Sequence, residues 1–150
     1  MPALVLIHPD IPQNLGGILR LCACLNLPLH VIEPCGFPLD DARLRRSGMD
    51  YIPHAAFSRH ASWEHFEHAR TPGRLLLAET DGTTPLNDMA FTPGDYLLFG
   101  SESAGTPRPL YEKMDQTFRI PMRETLRSFN LAMSAGIVAY EAWRQLRWEW

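Results

Sequence analysis

Three short stretches carry the residues that could do chemistry. "HPDIPQNLGGILR" (8–20) holds Asn14 and Arg20, "FGSESAGTP" (99–107) holds Glu102 in a loop of small residues, and "IPMRETLRSFN" (120–130) brings Arg127, Ser128 and Asn130 together. Amides, a hydroxyl, guanidinium groups and a lone carboxylate are groups that orient and recognise a polar substrate. The loop from Gly100 to Gly105 has little bulk, so its backbone amides can come close to something flat or anionic. Gly16 and Gly17 would each cost about 1 kcal/mol inside a helix, which implies that something there needs the room. Two readings stay open at this point for Asn14 and Ser128: helix caps, or groups facing a ligand.

Other chemistries find less support. There is no G-x-x-x-x-G-K-[ST] phosphate loop, no H-E-x-x-H pair and no G-x-S-x-G elbow. The six histidines show no metal-ligand spacing, so no metal is expected. Gly16 and Gly17, followed by a strand ending at Glu33, are a partial dinucleotide-binding pattern without the full glycine fingerprint. A nicotinamide-linked oxidoreductase therefore stands as an alternative from a different class.

The elements that must position these loops alternate along the chain. "ALVLIH", "LHVIEP", "RLLLAET", "DYLLFG" and "TFRIP" read as strands, and continuous apolar runs mark strands covered on both faces. "NLGGILRLCACLN" reads as a helix with Asn14 near its N-cap. "DDARLRRSG" and "SWEHFEHAR" read as short helices, the second capped by Ser62. "SFNLAMSAGIVAYEAWRQL" is the longest helix, with Ser128 as its expected cap. Alternating strands and helices predict one α/β domain over 1–150 with a mostly parallel sheet, in which ligands sit beyond the carboxyl ends of the strands. The last helix is apolar nearly all round and crowded with small residues (Ala132, Ser134, Ala135, Gly136, Ala139), so a second cover is expected, a homodimer through this helix.

At 150 residues, with 45% hydrophobic and 21% charged, the chain is long enough for a real core and is not disordered. No apolar run reaches the roughly 18 residues of a membrane span, and the opening has no basic region of a signal peptide. Three cysteines, Cys22, Cys24 and Cys35, in no metal spacing read as buried free thiols, which points to the cytoplasm. A net charge of -3 argues against a general polyanion binder. Thirteen of the 14 basic residues are Arg, whose planar fork suits phosphate, so a few well-placed ones can hold RNA locally.

Taken together, "IPQNLGGILRLCA", "LLFGSESAGTP" and "RIPMRETLRSFNLAMSAGIVAYEAWRQ" resemble the three motifs of the SPOUT superfamily of RNA methyltransferases. The likeness is nearest to its minimal subfamily, which 2′-O-methylates the tRNA wobble nucleotide, and it runs nearly end to end through "HVIEPCGFPLDDARLRRSGMDY". The resemblance implies a parallel sheet whose C-terminal part is tied in a deep trefoil knot, with S-adenosylmethionine held there mostly by backbone groups. Carried over, Ala78, Gly100, Gly105, Ile120, Met122, Ser128 and Asn130 fall on cofactor-binding positions, and Arg20, Asn14 and Glu102 on catalytic ones. Arg43, Arg45, Arg46 and Arg127 are the residues expected to grip the tRNA anticodon stem-loop. Leu15 and Gly17 replace the Thr and Asn common in the first motif, and Ala104 stands where relatives often have Arg. Methylation of another RNA, or a knotted RNA-binding protein without turnover, remain alternatives within this resemblance.

Overall fold

The computed structural model describes residues 1–39, 51 and 54–149. Strand β1 (Ala3–Ile7) leads to helix α1 (Pro12–Leu25), β2 (Leu29–Ile32) and β3 (Phe57–His60). Then come α2 (Trp63–Ala69), β4 (Leu75–Ala78), β5 (Thr84–Pro85) and β6 (Tyr96–Phe99). A one-turn helix α3 (Arg108–Tyr111), β7 (Gln116–Arg119) and α4 (Leu131–Leu146) complete the order. Among the described residues the strands form one seven-stranded sheet in the order β3-β2-β1-β6-β4-β7-β5, parallel throughout. The expected α/β fold with a parallel sheet is what forms.

Successive side chains on a strand point to opposite faces, and each face has its own core. Leu4, Leu6, Leu76, Leu97, Phe99 and Phe118 turn to the side of α1 and α4. Val5, Ile7, Leu75, Leu77, Tyr96 and Leu98 turn to the other side, beneath Trp63 and Phe66 of α2. A seven-residue helix does not hold alone in water. It is docked by those two aromatic residues, whose burial contributes roughly 2–3 kcal/mol each. Ser62 caps it as expected, accepting from His65 N at 3.3 Å.

Helices α1 and α4 cross where both are small: a Cβ on Gly17 would lie 3.4 Å from Ala132 Cβ. The glycine thus lets the two helices that bear site residues approach. Trp148 Nε1 donates to the Leu25 carbonyl at 2.8 Å, tying the end of α1 to the tail of α4.

Strands β4 and β5 are consecutive in the chain, yet β7 lies between them. The link 79–83 therefore arches over the end of β7. Glu79 N donates to Phe118 O at 2.9 Å, Arg119 Nη1 donates to Gly82 O at 2.7 Å and to Thr83 O at 3.0 Å, and a Cβ on Gly82 would strike the Phe118 carbonyl. Gly82 is required by this close approach.

Four expectations need correction or addition. Helix α1 starts at Pro12, so Asn14 sits within its first turn, buried, and is no cap. The cap of α4 is Asn130, whose Oδ1 accepts from Ala132 N and Met133 N, while Ser128 lies ahead of the helix. Strands β3 and β5 were not expected: the first exposes its two middle residues, Ser58 and Arg59, and the second is two residues long with a proline. The cysteines are free, with Cys22 buried and Cys35 half-buried, but Cys24 is exposed. The helix expected over "DDARLRRSG" lies outside the described residues.

Candidate active site

The carboxyl ends of β4, β6 and β7 and the head of α4 enclose a cleft of about 450 Å³. It falls within the size range of small-ligand sites. Its walls come from the ends of strands because in a parallel sheet every strand releases its loop at the same edge.

The first wall follows β6. Ser101 and Gly105 exchange backbone hydrogen bonds at 3.1 and 2.9 Å, folding residues 101–105 into a closed turn. Gly105 has φ +67, a conformation that favours glycine. A Cβ on Gly100 would come within 2.4 Å of the Gly105 carbonyl carbon and 2.5 Å of Thr106 N. Bulk is excluded from this turn by its own backbone.

The turn is fastened to the first stretch. Glu102 accepts from Asp10 N at 2.8 Å through Oε2 and from Asn14 Nδ2 at 2.7 Å through Oε1. Asp10 in turn accepts from Ser103 Oγ and, at 3.3 Å, from Ser103 N. The Ser103 hydroxyl bond, more than any other cause, holds the Asp10 carboxyl below its usual range.

The third stretch joins through Asn130, whose Nδ2 donates to Asn14 Oδ1 at 2.8 Å. The orientation of every amide in this line is dictated from its ends. Asn130 must turn its oxygen to the helix N–H groups, so its nitrogen faces Asn14. Asn14 must then present its nitrogen to Glu102, a carboxylate that only accepts.

All seven positions expected to bind cofactor line the cleft: Ala78, Gly100 and Gly105 on one side, Ile120, Met122, Ser128 and Asn130 on the other. Asn14, Glu102 and Arg127 line it too. Arg20 does not. It is exposed two turns along α1, with its guanidinium carbon 4.9 Å from the ring centroid of Tyr51. Arg43, Arg45 and Arg46 lie outside the described residues. Sequence reasoning missed Asp10, Ile11, Glu79 and Phe129. For Glu79 a signal existed, an acid immediately after the apolar run Leu75–Ala78. For Asp10 none did.

The lining suits an adenosyl cofactor with cationic groups. Ala78, Phe99, Ile120, Met122 and Leu131 offer apolar surface for a purine, the turn 100–105 offers backbone groups, and Glu79 and Glu102 are anionic. A second groove of about 720 Å³ runs along the outer side of α4, between Leu86, Pro121, Met133, Ile137 and Tyr140. Met133 and Tyr140 are 60% and 58% exposed there. Among the described residues no cluster of His, Cys, Asp or Glu could hold a metal ion, and no helix is long and apolar enough to cross a membrane.

Comparison with known proteins matches residues 1–140 to the SpoU rRNA Methylase family. A tRNA (cytidine(34)-2'-O)-methyltransferase of Burkholderia cenocepacia (strain HI2424) is 46% identical over 149 residues, covering 97% of this chain and 96% of that protein. A solved structure described as giving insight into the 2-OH methylation of C/U34 on tRNA superposes with a TM-score of 0.91 at 43% identity. It covers 98% of this chain and 97% of that one. A SpoU methyltransferase from Streptomyces viridochromogenes, solved in complex with AdoMet, superposes with a TM-score of 0.81 at 29% identity, over 97% of this chain and 57% of that one.

Proposed function

The chain belongs to the SpoU rRNA methylase family, and from that premise we propose that it methylates the ribose 2′-hydroxyl of the tRNA wobble nucleotide, cytidine or uridine 34. S-adenosylmethionine is the methyl donor. The observation that carries the reading is the hydrogen-bonded line Glu102–Asn14–Asn130, which joins all three sequence stretches along one nucleoside-sized cleft. The relatives, matched over nearly their whole length, supply the substrate.

S-adenosylmethionine supplies a methyl group already activated on a sulfonium. What remains for the protein is alignment of the attacking hydroxyl, whose proton passes to water as its oxygen takes the methyl and the sulfur leaves as a neutral thioether. Ala78, Gly100, Gly105, Ile120, Met122 and Ser128 wall the cofactor. Each Glu102 oxygen accepts one hydrogen bond, from Asp10 N and from Asn14 Nδ2, so Glu102 orients Asn14. Asn14 keeps one N–H and one lone pair for the acceptor ribose. Arg20 offers only hydrogen-bond donors and serves the reaction by holding phosphate beside the target nucleotide, with Tyr51 stacked beneath it. Arg43, Arg45, Arg46 and Arg127 extend that grip along the anticodon stem-loop.

The enzyme works as a homodimer through α4. An apolar groove beside exposed Met133 and Tyr140 supports this reading, and sedimentation at micromolar concentration should give about twice the monomer mass. A monomer would sink the assembly. Threading of the chain after β7 beneath the arch 79–83, as a trefoil knot, is supported by the position of β7 between β4 and β5. Pulled from its termini, a knotted chain extends short of about 3.5 Å per residue, whereas full extension would rule the knot out. Free thiols fit a cytoplasmic enzyme.

The decisive experiment maps ribose methyls by mass on tRNA from a strain lacking this protein. Loss of the methyl at the first anticodon position, restored by the purified enzyme with S-adenosylmethionine, is the expected result. An unchanged wobble nucleotide would overturn the reading.

A further inference from the structure

We propose that Glu79 is a cofactor-binding residue that accepts a hydrogen bond from the ribose hydroxyls of S-adenosylmethionine. The assignment rests on the methyl-donor reading of the cleft and adds a residue that the motifs do not contain.

Glu79 follows β4 directly and lines the cleft. It is half-buried, and its backbone is fixed by two bonds, N–H to Phe118 O and carbonyl from Gly82 N. Its carboxylate is held over the turn: Oε1 accepts from Thr106 N at 3.0 Å, and both oxygens lie 3.5–3.6 Å from where a Cβ on Gly105 would stand. Oε2 has no hydrogen-bond partner among the described residues. A carboxylate with one oxygen pinned and the other open to a cleft is a prepared acceptor.

Three kinds of group on the cofactor could meet it: the donating ribose hydroxyls, the donating adenine amino group, or the cationic ammonium and sulfonium. The methyl has to face the Asn14–Glu102 line, where the acceptor ribose is aligned. Glu79 hangs from a different strand and is tied at Thr106, past the turn that holds Glu102. That leaves it to the nucleoside end. An acid at the carboxyl end of a parallel strand, gripping a ribose diol, is a recurrent arrangement in α/β sheets.

Calorimetry with S-adenosylmethionine and S-adenosylhomocysteine tests this, together with 2′-deoxy and 3′-deoxy forms of the latter. Glu79→Ala should weaken both full ligands equally, by about tenfold, the loss expected for one charge-assisted hydrogen bond. In the wild type, removing the bonded hydroxyl should cost a similar factor, and in Glu79→Ala that cost should shrink below about threefold. Glu79→Gln guards against misfolding: its amide oxygen can keep the Thr106 bond while its nitrogen meets the hydroxyl, so it should retain most of the affinity. A loss confined to S-adenosylmethionine would assign Glu79 to the sulfonium, and an equal loss with an undiminished deoxy penalty would assign it to the ammonium or the adenine amino group that both ligands carry; either overturns the proposal. A deoxy penalty undiminished in Glu79→Ala, or no loss in that variant, would overturn it as well. Failure of the wild type to bind either full ligand would overturn the methyl-donor reading itself.

Discussion

Asn130 donates through Nδ2 to Oδ1 of Asn14 at 2.8 Å, across 116 residues of sequence. The same Asn130 caps α4 through its oxygen, so the start of the last helix and the orientation of a site amide are one decision.

This link separates cap from catalysis. Asn130→Asp keeps an acceptor for the helix N–H groups and adds a favourable charge at the helix N-terminus, so stability should stay within about 1 kcal/mol. Its second oxygen, however, faces Asn14 Oδ1, acceptor against acceptor. Asn14 must flip and then turns its oxygen to Glu102. Methyl transfer should fall at least about tenfold while the melting temperature holds. Full activity in this variant would show that the amide line is not required.

Gly100→Ala tests the turn. The new methyl meets backbone at 2.4–2.5 Å on Gly105 and Thr106, and backbone cannot yield as a flexible side chain would. The Ser101–Gly105 pairing should open, and cofactor dissociation constants measured by calorimetry should rise about tenfold or more. Unchanged affinity would mean that the turn is not part of the cofactor site.

Asp95 offers a stability control away from the cleft. Its side chain is 1% exposed and accepts from Arg74 at 2.7 and 2.9 Å and from Thr92 N at 2.7 Å. Burial raises its carboxyl pKa, and the Arg74 and Thr92 bonds outweigh burial and hold it below the ordinary 3.8. Asp95→Asn should cost about 2–3 kcal/mol in urea unfolding with no change in cofactor affinity at 25 °C. An equally stable variant would contradict the clamp.

Histidines His30 and His60 share a bond of 2.9 Å between Nδ1 and Nε2 beneath Phe66. Burial, and then the neighbouring His60, push His30 down to about 4 from an ordinary 6.5, and burial lowers His60 too. Because the unfolded chain binds the proton first, the contribution of the neutral pair is complete above pH 6.5. It is lost progressively as the pH falls towards 4. Urea midpoints should decline over that window in the wild type and flatten in His30→Leu/His60→Leu. A wild-type midpoint constant from pH 7.5 to 4.5 would refute this origin.

What could be read from the sequence follows from how strongly each signal exceeds its surroundings. Strands β1, β4 and β6 are unbroken apolar runs because both faces are covered, and no solvated turn imitates them. Strand β3 exposes Ser58 and Arg59 and, among the described residues, pairs with β2 alone, so its pattern is that of a loop. Cap assignment failed at Ser128 because serine two residues ahead of an asparagine satisfies the same rule. Only the three-dimensional tie to Asn14 selects Asn130. The cleft itself was legible since its residues sit at strand ends in three clustered stretches. Asp10 was not, since a loop acid discloses its partner only when Ser103 is brought beside it, and Glu79, marked by its place after a buried strand, shows its Thr106 partner only in the fold.

The position of β7 sets the order in which the molecule can be finished. Both of its hydrogen-bonding neighbours come earlier in the chain, so a slot with two standing walls has to receive residues 116–119 from far along the sequence. Ile120, Met122, Arg127 and Asn130 follow β7 in the chain, so the cleft they line is incomplete until that strand is seated. Cofactor binding and the seating of β7 are thereby coupled: a chain whose slot stands empty has no complete crevice to offer.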